Sequence, residues 1–137
     1  MTCYNALIRT HHITSRKKVA ALKRAAERLN CSALLRSGGC PGIMYVEARD
    51  KDAVESWVGA VRELRYKDFQ LVSRPASMEG ERDGGAGTAK TRGRRGGKEN
   101  GRRDAGLEEV ESVKEFGSLM EKKGVLGWWR RGMGYVQ

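Results

Sequence analysis

His11-His12-Ile13-Thr14-Ser15-Arg16-Lys17-Lys18 gathers two imidazoles, a serine hydroxyl and three permanent cations into one short stretch. Beyond it, Val19, Leu22, Ala26 and Leu29 recur at helical spacing, so Ser15 falls where a hydroxyl accepts a bond from an otherwise unpaired first-turn amide. Such amides and the helix dipole attract anions, and Arg16, Lys17 and Lys18 add to that attraction. Phosphate binding is the chemistry these types suggest, and a capped helix with a solvated basic first turn is the plainer alternative. His11 and His12 with Cys3, Cys31 and Cys40 also raise metal ligation. Adjacent strand residues point to opposite faces and the cysteines lack ligand spacing, so no metal and no other cofactor is expected. Cys40 sits in a Gly-rich turn with nothing nearby to mark a nucleophile, so the chain is read as non-catalytic.

The elements that must position this stretch follow from the rest of the chain. Cys3–Thr10 reads as a strand, Cys31–Arg36 and Ile43–Ala48 as a hairpin about Ser37-Gly38-Gly39-Cys40-Pro41-Gly42, and Phe69–Arg74 as a closing strand. Asp50 or Asp52 can cap a second helix whose buried face is Val54, Trp57, Val58, Val61 and Leu64. The order β-α-β-β-α-β predicts an α+β, ferredoxin-like sandwich over residues 1–74. Period-two alternation puts Ala6, Ile8, Met44, Val46, Phe69 and Leu71 under the helices. Asn5, Leu7, Arg9, His11, Tyr45, Glu47, Gln70 and Arg74 are then left on an open face.

Residues 75–106 hold almost no bulky apolar side chains and contain Gly84-Gly85-Ala86-Gly87 and Arg92-Gly93-Arg94-Arg95-Gly96-Gly97-Lys98. They predict a disordered Gly/Arg-rich linker. Residues 107–137 predict a helical tail, with one stripe of Val110, Val113, Phe116, Leu119 and Met120 ending at Lys123-Gly124 and a short helix over 125–133. Trp128 and Trp129 cannot both face one core, so the tail is a possible contact for a protein partner.

The 137 residues carry a net charge of +10. Residues 1–74 hold 14 Lys and Arg against 7 Asp and Glu, while residues 107–137 hold 5 against 5. Residues 75–106 hold 8 against 5, so the positive field belongs to the first unit and, more weakly, to the middle, and favours polyanions, nucleic acid ahead of membrane. Three cysteines without a C-x-x-C pair and without an N-terminal apolar leader suggest a reducing compartment, and no apolar run reaches transmembrane length.

Several stretches together carry a family likeness: His11-His12-Ile13-x-Ser15-x-x-Lys18, Ala26-Glu27-Arg28-Leu29-Asn30-Cys31-Ser32, Cys40-Pro41-Gly42-Ile43, Val46-Glu47 and Val61-Arg62-x-Leu64-Arg65-Tyr66. Over residues 3–74 they resemble the C-terminal domain of the pre-mRNA-processing factor 3 family of spliceosomal small nuclear ribonucleoproteins. A domain of this type also stands behind RWD domains in a second group, and Glu115-Phe116 through Trp129-Arg130 looks more like that group. The resemblance implies a ferredoxin-like fold and binding to duplex RNA with an adjacent single strand, in a nuclear or, alternatively, cytoplasmic setting. Cys40 replaces the family's usual loop Lys, Ala25 its helix Trp, and Ala48 its Gly after Val-Glu.

The expected RNA-binding residues are Arg9, His11, His12, Ser15, Arg16, Lys17 and Lys18 at the junction, with Tyr45 as a stacking platform on the open face. The alternative is a protein-interaction domain of the RWD-associated type with no RNA role.

Overall fold

The computed structural model describes residues 3–78 and 105–134. Strand β1 (Tyr4–Thr10) leads into helix α1 (Arg16–Leu29), which Ser15 caps by accepting a bond from the Lys18 amide at 3.2 Å. Asn30 ends α1 in the left-handed conformation, which its short polar side chain tolerates, and its N–H closes on the Ala26 and Glu27 carbonyls. Strands β2 (Ser32–Arg36) and β3 (Gly42–Ala48) form the expected hairpin. Asp50 caps α2 (Lys51–Glu63), and β4 (Gln70–Ser77) follows. After residues 79–104 come β5 (Gly106–Val110), α3 (Val113–Lys122) and α4 (Leu126–Met133).

The five strands make one mixed sheet in the order β4-β1-β3-β2-β5. β1 runs antiparallel to β3 and β4, β2 antiparallel to β3, and β5 parallel to β2. This α+β arrangement is broadly compatible with the ferredoxin-like expectation.

The pleat assigns side chains as the alternation requires. Ala6, Ile8, Met44 and Val46 lie in one cluster with Leu22, Val54, Trp57 and Val61 of α1 and α2. Trp57 is fully buried there, and its indole N–H donates to the Leu22 carbonyl at 3.1 Å, which satisfies the one polar atom that burial would otherwise penalise.

The opposite face is not open. Leu7, Leu34, Ile43 and Tyr45 are buried in a second cluster with Phe116, Met120, Val125, Trp128, Trp129 and Met133. The C-terminal segment docks on its own sheet, and both tryptophans face it. Trp128 meets Tyr45 edge-on with centroids 5.8 Å apart, and Trp129 stacks on Phe116 at 5.5 Å. Gly132 permits the close approach of α4 to β1, since a Cβ there would stand 2.9 Å from Leu7 Cδ2.

Two boundaries differ from the sequence reading. β4 continues through Pro75 to Ser77, and Met78, 2% exposed, belongs to the second cluster. β4 is an edge strand, where a proline without an N–H is tolerated, so the strand runs on through Pro75. The tail also begins with a strand at Gly106, not with a helix. The rest of the expected linker lies outside the described residues.

Candidate functional site

The β1–α1 junction is built by register. Thr10 pairs with Gly42, so the exit of β1 lies against the entry of β3. The Gly42 N–H donates to the His11 carbonyl at 3.2 Å and the His11 N–H to the Lys67 carbonyl at 2.9 Å. Three loops therefore meet at His11: the one after β1, the one between β2 and β3, and the one before β4. Gly42 is required at this crossing, because a Cβ would fall 2.5 Å from Thr10 Oγ1 and 2.6 Å from Ile13 Cγ1. Ile13, 1% exposed, plugs the junction from within with Thr10 buried beside it, while His12, Thr14, Arg16 and Lys17 stay at the surface.

The cations gathered here are not equivalent. Arg16 makes a two-pronged contact with Glu109 of β5, at 3.2 and 2.6 Å, and the Ser37 hydroxyl donates to the same carboxylate at 2.6 Å. Hydrogen bonding from Arg16, with Ser37 adding to it, holds the Glu109 carboxyl below its ordinary range against a smaller opposing effect of burial. Lys18 places its ammonium 4.9 Å from the Tyr66 ring centre, and burial pushes the Tyr66 hydroxyl up to about 12. Arg9 donates to Gln70 at 2.9 Å. Lys17 is exposed, and among the described residues no acid pairs with it.

Tyr45 does not join this group. It is 1% exposed, donates to Glu47 at 2.7 Å, accepts from the Asn5 amide at 3.2 Å, and lies beneath Trp128. A base cannot stack on a ring that α4 already covers, so the expected platform is a core residue. Nothing local in the sequence says where two short helices beyond a long intervening segment will dock, so the cover over this face is not legible there.

A basic surface outside the expected set of residues lies next to the junction. The exposed residues of α1 include Lys17, Lys23, Arg24 and Arg28, with Glu27 as the acid among them. None of the four cations forms an ion pair among the described residues. The signal was available: these positions alternate with Val19, Leu22 and Ala26 around one helix, which turns them to solvent together.

The structure also brings together residues that strand alternation kept apart. β1 ends at Thr10, so His11 and His12 follow a bend and are not strand neighbours. Their rings meet edge-to-face at 4.3 Å, and ligand atoms of His11, His12 and Cys40 all lie within 4.8 Å of one another. The rule that adjacent strand residues point to opposite faces therefore does not apply to His11 and His12. Cys31 is buried elsewhere, its thiol directed at the Ala53 carbonyl at 3.5 Å. Compared with known proteins, the chain matches no family model, and no curated protein is significantly similar to it.

Proposed function

We propose that this chain is a non-catalytic RNA-binding module with a ferredoxin-like body, and that it contacts the phosphates of structured RNA through the outer face and first turn of α1. The observation that carries the reading is the set of exposed cations on α1, Lys17, Arg24 and Arg28 along one face with Lys23 at its flank, none of which forms an ion pair among the described residues. A second feature supports it. The first turn of α1 holds Arg16, Lys17 and Lys18 and no acid, the arrangement that the helix dipole disfavours. A local cost of this kind is commonly kept where it serves a site, and a bound phosphate would relieve it.

Binding of this type positions the protein on a backbone and does not read bases. With Tyr45 covered, a single-stranded overhang has no platform on the sheet, so duplexes with and without one should bind alike. Fluorescence anisotropy with a duplex RNA at several salt concentrations tests this. Each lost phosphate contact lowers the slope of log affinity against log salt by about 0.9, so reversing Lys17, Arg24 and Arg28 to Glu should lower it by roughly 2–3 in all. Arg16→Gln should have a smaller effect, because Glu109 already neutralises Arg16. An unchanged slope in the triple variant, or no RNA binding by the parent at low salt, would leave the protein-interaction alternative.

A further inference from the structure

The three loops that meet at His11 bring together a set of nitrogen and sulfur donors, none of which the proposed phosphate contacts on α1 use. His11 Nδ1 lies 3.8 Å from Cys40 Sγ and 3.3 Å from a carboxylate oxygen of Asp68. His12 completes a trio whose ligand atoms are all within 4.8 Å of one another. His11, Cys40 and Asp68 share one surface hollow with Arg9 and Gln70. We propose that His11, His12 and Cys40 bind a divalent transition-metal ion of the zinc class, its fourth position open to water or to the Asp68 carboxylate beside His11.

The separations fit that chemistry. With metal–sulfur near 2.3 Å and metal–nitrogen or –oxygen near 2.0–2.1 Å, tetrahedral angles place a sulfur and a nitrogen about 3.5 Å apart and a nitrogen and an oxygen about 3.3 Å apart. The two separations measured from His11 Nδ1 are already close to these values. His12 is exposed, and a rotation of its ring about the side-chain bonds would close the remaining distance. A thiolate with two imidazoles selects zinc-class ions over magnesium or calcium, which take oxygen donors.

The backbone beneath the donors is held in place. The Gly42 and His11 amide bonds tie the first loop to the other two, and Arg36 donates to the Pro41 carbonyl at 2.9 Å, which fixes the turn carrying Cys40. Little ordering is left for the ion to impose. Binding requires the thiolate, so the Cys40 proton leaves to solvent as the sulfur–metal bond forms.

The test uses the full chain in a non-chelating reductant, titrated with Co²⁺ as a spectroscopic substitute for Zn²⁺. One equivalent should give a thiolate-to-cobalt charge-transfer band and tetrahedral visible bands, and Zn²⁺ should displace both. Cys40→Ser should abolish the charge-transfer band. Cys40→Ser and His12→Gln should each weaken Zn²⁺ binding in a calorimeter by more than the roughly 10- to 100-fold typical of losing an outer partner. Both residues are exposed, so the variants should keep the parent's far-UV circular dichroism. Cys3→Ser should bind as the parent does. The proposal fails if the parent shows no charge-transfer band at stoichiometric Co²⁺, or if Cys40→Ser binds Zn²⁺ as tightly as the parent.

Discussion

Phe116→Ala tests whether the C-terminal helices are part of the fold or a loosely held appendage. Phe116 is fully buried on α3 and stacks on Trp129 of α4, the rings inclined by 28°. Truncating a buried Phe removes its transfer free energy and leaves a cavity, together about 3–5 kcal/mol, of which the ring contact accounts for roughly 0.5–1.5. Small domains hold about 5–15 kcal/mol in all, so the variant should lose a large share of its stability. The loss should fall first on α3 and α4, because the other cluster, with Trp57 at its centre, does not contain Phe116. Opening there exposes Leu7, Leu34, Ile43 and Tyr45 together. Urea melts followed by circular dichroism should show the midpoint falling, and dye binding to exposed apolar surface should rise at denaturant concentrations where the parent is silent. A change below about 1 kcal/mol with no dye binding would mean that α3 does not pack on the sheet as described.

Further outcomes follow from other parts of the molecule. Trp57→Ala should cost about 3–5 kcal/mol in the same melts, whereas Trp57→Phe should keep most of the packing and lose chiefly the bond to Leu22, about 1 kcal/mol; equal losses in both would place the weight on the bond instead. Tyr45→Ala should lower the thermal midpoint and leave RNA affinity at a temperature where it stays folded unchanged; weaker binding only to a duplex with an overhang would show that the sheet face opens to bases. The Glu109 carboxyl is held below its ordinary value of 4.5, so its contribution to stability is full above that value and is lost as pH falls through the lower folded value. Glu109→Gln should therefore flatten the acid side of the stability–pH curve, and a curve identical to the parent's would show that the Arg16 contact has no thermodynamic weight.

How much of this was legible in the sequence depended on how local each cause was. Ser15 is legible as a cap, and Asp50 as one of two candidates with Asp52, because capping is settled within a few residues, and Trp57 is legible as core because its helix stripe repeats over several turns. Strand alternation correctly separated Ala6 and Ile8 from Leu7, but it could not say that both faces are covered. β5 escaped because Gly106-Leu107-Glu108-Glu109-Val110 has two acids at its centre and no period of two. Its strand conformation comes from pairing with β2 and from Arg16 and Ser37 holding Glu109, all distant in sequence. His11, His12 and Cys40 were missed for the same kind of reason: their meeting depends on the register of Thr10 with Gly42.

The covered sheet also changes where a polyanion could bind. Glu109 neutralises Arg16 at the start of α1, and Lys123 of the tail stands 3.9 Å from Glu47 and 5.9 Å from the Tyr45 ring centre. Docking of the tail thus removes one cation from the helix N-terminus and closes the face behind it. Lys17, Lys23, Arg24 and Arg28 remain, spread along α1 and facing away from both clusters. With 1.5 Å of rise per residue, Lys17 and Arg28 are separated by roughly 16 Å along the helix axis, which suits a run of phosphates better than a single anion. An RNA bound there would lie across α1, on the far side of the sheet from Trp128 and Trp129. Because Glu109 belongs to β5, Glu109→Gln should free Arg16 for phosphate contact and steepen the salt dependence of RNA binding by up to about one contact's worth, 0.9 on a duplex. Anisotropy titrations at several salt concentrations measure this directly. A slope equal to the parent's would show that Arg16 contributes nothing to binding whether paired or free, and that the site begins at Lys17.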